Sequence, residues 1–447
     1  MILVCGHNNA WQLTYLFGAV TPGTVNRVRE VHRSAAGKGV NVARVLAALQ
    51  APTTLLAYLG GPNGMRVRRE LESEGIATEV IDTAADTRTC VTLLESAPPP
   101  RNAERAGHRR TGGDGPAFLG RSARAPREAG GDGHRDAGSA GWSPAPGDGP
   151  RDAGGERGAG QTAEPAAATS ADAFAGGGDA WQAQEPGGPP VAAGAGELDA
   201  DAVVTARQVT ELVEPAVVAS AAEQERFAAA YDRLLEQASA VVIAGSAIGG
   251  ADREVYAEMV RRARRRGVPT LLDAYHGHGR AALAAAPSIV KINRAELAEL
   301  AGTAVDAEPA RIAACRGLCD RHGVRWVMVS AGAEGIEACD GRRLLRAAAP
   351  AVPVVNPIGS GDAAAAGVVA ALVGAAGAPV AGVVAGPNSA PGPEPAPARI
   401  DQADLASAAR LAVACGTANC LTATPGAVTP ESIRRLHAQV AVTEAPI

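Results

Sequence analysis

Beyond residue 203 the chain repeats one pattern: a short continuous apolar run, then a longer segment with helical period. The apolar runs are VVIAG from Val241, VPTLLDA from Val268, IVKIN from Ile289 and WVMVSAG from Trp326. Between them lie EVYAEMVRRARRR from Glu254, AELAEL from Ala295 and RIAACRGLCD from Arg311, whose apolar residues recur on a helical face. Strands that are apolar at successive positions are buried on both faces, and strands joined through helices run parallel. The pattern predicts an α/β fold, a doubly wound and mostly parallel sheet with flanking helices. TTLLAYLGG from Thr53 and TRTCVTLLE from Thr87 add strands near the N-terminus. Aromatic residues are only 3% of the chain, so the core must come from Ala, Val, Leu and Ile.

Two stretches break this pattern. Between residues 97 and 202 the chain is rich in Gly, Ala, Pro, Arg and Asp, with loose self-similarity (REAGGDG from Arg127, RDAGGER from Arg151) and no apolar period. Such a segment buries too little apolar surface to offset its ordering entropy and is expected to be a disordered insert. An arginine-rich RNA-binding tail is the alternative; interleaved acids and the lack of aromatic stacking residues speak against it. Residues 374–399, rich in Pro, Gly and Ala, are expected to be a loop. Outside these segments roughly 315 residues remain, which suits one discontinuous domain, 1–96 with 203–447. The insert falls between the strand Thr87–Glu95 and the segment Val203–Pro215, where a long connection adds little closure entropy.

A formal net charge of −5 and the absence of long basic runs give no push toward nucleic acid or an anionic membrane. No apolar run approaches the length of a membrane span, and the N-terminus MILVCGHNNA lacks the basic region of a signal peptide. The seven cysteines have no metal-ligand spacing, so buried thiols in a reducing cytoplasm are expected.

Chemistry concentrates in three stretches. In NPIGSGDAAAAGVVAAL from Asn356, a turn of Gly359, Ser360 and Gly361 feeds an Ala-rich helix. A glycine turn at a helix N-terminus aims backbone N–H groups at one spot, an anion site. Asp362 at that helix start is either a first-turn charge or a catalytic group. AGKGVNVAR from Ala36 is built similarly, with Lys38 between Gly37 and Gly39. It is not a P-loop, since His32 stands at the leading glycine's place and Gly39 follows the lysine. Lys38 and Lys291 are the only lysines in the chain, among 42 Lys plus Arg. At a plain surface site arginine would serve as it does elsewhere, so a compact ammonium is indicated here. In VKINRAE from Val290, Asn293 and Glu296 have the spacing of a capping box, or of polar groups at the carboxyl end of a parallel strand, where α/β sheets bind ligands. His276 and His278, in DAYHGHG from Asp273, lack a third metal ligand nearby and are expected to form a polar loop.

In this order the motifs resemble the phosphofructokinase B (ribokinase-like) family of carbohydrate kinases, closest to its 1-phosphofructokinase and tagatose-6-phosphate kinase branch. GTVNRV from Gly23, AGKGVNVAR, LGGPNG from Leu59, TRT from Thr87, TELVEP from Thr210, GS from Gly245, KINRAE from Lys291 and GSGD from Gly359 carry the resemblance. It implies a ribokinase-like fold with a small β-lid that pairs copies into a homodimer, ATP as donor and Mg2+ assisting. It makes Asp362 the base for the acceptor hydroxyl and the amides of Gly359, Ser360 and Gly361 the anion hole, parts that phosphoryl transfer needs. Gly37, Lys38, Gly39 and Asn41 fall on the family's sugar-binding motif, and Arg88 on a position that contacts a substrate phosphate. Lys291, Asn293 and Glu296 match its motif near the nucleotide phosphates and, indirectly, Mg2+. Ser330, Gly332 and Gly335 match a nucleotide-side turn.

Three positions depart from the family. Gln12 stands where an aspartate grips sugar hydroxyls; it is neutral and also donates. Ala36 replaces the first glycine of the sugar motif, and Pro357 replaces the usual threonine after Asn356. The expectation is an ATP-dependent kinase of a sugar phosphate such as fructose 1-phosphate. A kinase of a neutral sugar or nucleoside and a catalytically degenerate ligand-binding sensor are the alternatives.

Overall fold

Strand β1 (Ile2–Gly6) places every residue in the interior, Ile2 and Val4 toward one side of a sheet and Leu3 and Cys5 toward the other. Parallel neighbours flank it, β4 (Thr53–Leu59) and β8 (Ala240–Ala244). The computed structural model describes residues 1–96, 206–274, 276–374, 400 and 403–445. All belong to one compact unit, Met1–Ala103 with Ala192–Ile447; the other, Glu104–Val191, lies outside the described residues. So do the expected insert at 97–202 and all but the first residue of the expected loop at 374–399.

From β4 the main sheet ends at β5 (Ala77–Asp82). From β8 it continues through β9 (Thr270–Asp273), β10 (Ile289–Asn293) and β11 (Trp326–Ser330), all parallel. Three antiparallel strands complete its ten: β12 (Ile336–Cys339), β13 (Leu344–Ala347) and β14 (Val442–Ala445). One face is covered by α1 (Lys38–Ala48), α2 (Gly61–Ser73), α8 (Ser360–Gly374), α9 (Leu405–Asn419) and α10 (Pro430–His437). The other carries α3 (Ala221–Leu235), α4 (Val255–Arg265) and α5 (His276–Ala284), then α6 (Arg294–Ala301) and α7 (Glu308–His322). Helices on both faces explain why the parallel strands are apolar throughout rather than alternating. Among the described residues, no helix is long and apolar enough to cross a membrane.

The second sheet has four strands in the order β3 (Glu30–Ala36), β2 (Ala10–Phe17), β6 (Arg88–Ser96) and β7 (Ala206–Val213). β6 and β7 are antiparallel neighbours whose register runs out to Ser96 opposite Ala206. The long connection therefore leaves and re-enters the fold at adjacent points. The seven cysteines are all free thiols, and only Cys420 is not fully buried.

Two buried ion networks hold helices to this frame. Arg44 on α1 bonds Glu70 of α2, Glu74 at that helix's C-cap and the Ala35 carbonyl near the end of β3. Arg311 on α7 pairs with Glu337 of β12. Removing one partner of the Arg311–Glu337 pair, buried on both sides, strands a buried charge, which costs about 3–5 kcal/mol.

Candidate active site

The site forms at the carboxyl ends of the central parallel strands, where open α/β sheets bind ligands. β9 runs through the buried Leu271 and Leu272 to its last residue, Asp273, whose carboxylate is fully buried. A carboxylate in that position must be paired. Both lysines of the chain do this. Lys38 Nζ donates to Oδ1 at 2.8 Å, and Lys291 Nζ to Oδ2 at 2.6 Å. Burial alone would push the Asp273 carboxyl up, but Lys291 and then Lys38 outweigh it and hold its pKa below the ordinary range. Burial likewise opposes the Lys38 charge; Asp273 and Asp362 more than compensate, and its pKa lies above the usual lysine value.

Lys38 opens α1, and the glycines beside it work on backbone geometry. Gly37, the N-cap, has φ 116°, and a Cβ there would meet Asn9 Cα at 2.9 Å. A Cβ on Gly39 would lie 2.6 Å from Gly6 Cα. These two glycines bring the helix start against the end of β1, where any side chain would clash with backbone. The Lys38 stem lies over Gly245, just beyond β8. Lys291, within β10, is 4% exposed.

Asp362 stands in the first turn of α8, 7% exposed. Asn41 of α1 donates Nδ2–H to its Oδ2 at 2.8 Å. Burial, reinforced by the neighbouring Asp273, raises its pKa to about 6; Lys38, Lys291 and the Asn41 hydrogen bond oppose the rise without cancelling it. A carboxylate poised there is ionised at neutral pH yet basic enough to accept a proton.

The turn before α8 is fixed from both sides. Asn356 Oδ1 accepts from the Ile358 amide at 3.0 Å, while its Nδ2 donates to the Ala423 carbonyl. Asn419 at the end of α9 donates to the Ile358 carbonyl and Ser360 Oγ and accepts from the Gly426 amide at 2.7 Å. Gly359 takes φ 84°, reversing the chain into the helix. The Ser360 amide bonds back to Pro357 at 3.2 Å, whereas those of Gly359, Gly361 and Asp362 have no partner among the described residues. The open donors therefore differ from the expected set: Asp362 joins the two glycines and Ser360 turns away. A Cβ on Gly361 would lie 2.9 Å from Lys291 Nζ, so that ammonium stands beside the turn.

Ser330, Gly332 and Gly335 line a cavity of about 500 Å³ that reaches Ser360, Gly361 and Cys420. Its other walls are largely Ala, Val and Pro, the mixture of apolar walls and a few polar groups that small-molecule sites use. Asn293 and Glu296 form a reciprocal capping box at the start of α6, Oδ1 accepting at 2.9 Å and Oε2 at 2.8 Å. Glu296 also adds to the field that favours the Lys38 charge. Among the described residues no group of three or more His, Cys, Asp or Glu side chains could hold a metal ion. His276 instead meets Glu299 at 3.0 Å, and the His278 ring lies 5.9 Å from that of Tyr256.

On the other side of Lys38, Gln12 and Arg88 lie on one face of the four-stranded sheet, since Arg88 pairs with Ala10 and Gln12 with Cys90. Gln12 is buried and donates to Thr92 Oγ1 at 2.9 Å. Arg88 donates to the carbonyls of Glu214 and Asn8, and its Nε is buried without a partner among the described residues. The same Asn8 carbonyl packs on Gly37. Asp273 and Asn419 are the two groups that sequence reasoning missed. Asp273 carried a signal, an acid closing an apolar strand; Asn419, at the end of an Ala-rich helix, carried none.

The doubly wound α/β unit thus carries, beside its four-stranded second sheet, a glycine turn at a helix start with a buried carboxylate next to it. The model of the pfkB family carbohydrate kinases matches residues 2–103 and 201–432, and the chain belongs to that family of sugar kinases. Its fold is shared by a possible 1-phosphofructokinase of Thermotoga maritima, at 14% identity and TM-score 0.63, covering 99% of each chain. It is also shared by phosphofructokinase-2 of Escherichia coli in its complex with substrates and products, at 15% identity and TM-score 0.62, covering 98% of each chain. The tetrameric inhibited form of the E. coli protein matches at 15% identity and TM-score 0.61, again over 98% of each chain.

Proposed function

We propose that the protein transfers the γ-phosphoryl group of ATP to a primary hydroxyl of a sugar phosphate. The observation that carries this is Asp362: a buried carboxyl with a raised pKa, held by Asn41 and set between unpaired amides and two ammonium groups. In this role Asp362 takes the proton of the acceptor hydroxyl as its oxygen attacks the γ-phosphorus, and the bond to ADP breaks on the far side. The Gly359, Gly361 and Asp362 amides and Lys291 receive the charge on the transferring group. The nucleotide occupies the cavity between Ser330 and Cys420, with Gly332 and Gly335 forming its turn. Asn293 and Glu296 would hold Mg2+ indirectly, through water, and when bound it would supply positive charge against the phosphates.

Arg88, Lys38, Gly37, Gly39, Asn41 and Gln12 make up the acceptor side. Arg88, donating to the Asn8 carbonyl beside Gly37, brings a cation to this side and favours a phosphate-bearing acceptor over a neutral one. The kinase domain is discontinuous, 1–96 with 203–447, and the residues between supply no catalytic group. Leu212 and Val213 of β7, each 56% exposed, give the lid an apolar edge that a second copy of the chain would cover.

The test is turnover with Mg-ATP on fructose 1-phosphate, tagatose 6-phosphate and fructose 6-phosphate, set against fructose, ribose and adenosine. Preference for the phosphate-bearing panel is expected. Turnover of the neutral panel alone would remove the dianion assignment, and ligand binding with no transfer to any of the six would select a non-catalytic sensor. Nucleotide binding has its own readout, because Cys420 lines the donor cavity: ATP should slow its alkylation.

A further inference from the structure

The chain contains two lysines, far apart in sequence, and both end on one carboxylate. We propose that Asp273 is a positioning residue whose carboxylate clamps Lys38 and Lys291 side by side, keeping the acceptor-side and donor-side ammoniums together where the phosphoryl group crosses. This rests on the kinase function proposed above.

The strand order makes the clamp. β9 lies between β8 and β10. Lys38 reaches across Gly245 at the end of β8, Lys291 rises from β10, and Asp273 closes the strand between them. Each ammonium takes a different oxygen, so the two are within about 8 Å, the span of two charge-assisted hydrogen bonds across one carboxylate. Two like charges that close, with Lys291 and Asp273 almost wholly buried, repel unless an anion stands between them. Among the described residues Asp273 is the one hydrogen-bond partner of Lys291. An ammonium carries three N–H groups, so Lys291 keeps donors for phosphate oxygens while anchored. Its Nζ is already at the Gly361 turn. A neutral residue at 273 would leave two cations repelling each other, and each would swing toward whatever anion arrived first. With Asp273 in place their separation is set before ligands bind, the preorganisation that electrostatic catalysis requires.

The sole two lysines also make the clamp directly observable, because a protein labelled with 15N-lysine gives only two side-chain signals. In the unsubstituted protein both ammonium signals should exchange slowly with water and show restricted motion. Freely rotating, fast-exchanging lysines would overturn the proposal with no variant needed. In Asp273→Asn both signals should shift, and kcat/KM should fall about 100-fold. The groups facing Asp362 are Lys38, Asp273, Lys291 and Asn41. Loss of one negative charge among them should move the acid limb of kcat/KM to lower pH, which a merely structural role would leave in place. Asp273→Glu, which restores the charge, should recover part of the rate. A shift of only one lysine signal, an unmoved acid limb, or a rate within two-fold of the original would each reject the clamp. If the unsubstituted protein transfers nothing from Mg-ATP, the kinase function fails instead, and the lysine spectrum still judges the clamp.

Discussion

The chain has two turns of the same local design, Gly37-Lys38-Gly39 opening α1 and Gly359-Ser360-Gly361 opening α8. In each, glycines lead into an apolar helix at the carboxyl ends of the central strands. Their glycines nevertheless do different work. At the first turn they are spent on packing: Gly39 touches the backbone of Gly6, and Gly37 that of Asn9. The reactive group there is the lysine side chain. At the second, Gly359 reverses the chain and leaves amides unpaired, so the backbone itself is the working part. A glycine-rich turn thus tells a reader that backbone comes close to something, while the neighbour it approaches decides whether that something is protein or ligand.

The largest effect expected from testing this contrast is at the residue the second turn presents. Asp362→Asn should lower kcat about 1,000-fold while nucleotide affinity stays within about three-fold, as loss of a general base predicts. For the unsubstituted enzyme, the base works only when ionised. Because its pKa is raised to about 6, activity should fall as pH drops through 6 and level off above it. A wild-type rate in the variant would end the base assignment, and an acid limb near pH 4 would mean that burial does not govern the carboxyl.

The paired glycine substitutions sharpen the contrast itself. Gly39→Ala forces a methyl against Gly6 backbone and should destabilise the fold by about 2 kcal/mol, read by denaturant unfolding. Gly361→Ala meets no backbone but only the tip of the Lys291 side chain, so stability should change by less than about 1 kcal/mol while displacement of that ammonium lowers kcat about ten-fold. The reverse outcome, a folding defect at 361 and a purely kinetic one at 39, would exchange the roles given to the two turns. Lys38→Arg keeps the charge but not the compact ammonium; it should raise the acceptor KM several-fold more than the nucleotide KM. Equal effects would place Lys38 between the substrates rather than on one side.

The smallest effect should come from the longest segment. Ser96 and Ala206 are already paired across β6 and β7, so a short hairpin loop in place of residues 97–205 should keep kcat/KM within two-fold. A larger loss would give the insert a role in catalysis.

Much of the fold is legible in the sequence because its signals are local. Continuous apolar runs predict β8 to β11, and the helical period predicts α1, α4, α6 and α7 in place. The capping box of Asn293 and Glu296 is likewise visible from spacing alone. Gly359-Ser360-Gly361 and Asp362 announce themselves as a turn and a helix start. What stays hidden depends on partners brought from far along the chain. Asn41 belongs to the sugar-binding motif by sequence, yet its amide holds Asp362, 321 positions away. Asp273 passes for the start of a polar loop until β9 is seen to lie between β8, which leads into Gly245, and β10, which bears Lys291.

By itself, then, the sequence determined the elements, the unusual value placed on two lysines and the residues able to handle a phosphoryl group. Only the tertiary structure decided that those lysines share one carboxylate and that the two glycine turns differ in purpose. The physical reason is range. Propensity, period and capping act over a few residues, whereas strand order brings residues 38, 273, 291 and 362 together through long-range pairing and burial that no local pattern encodes.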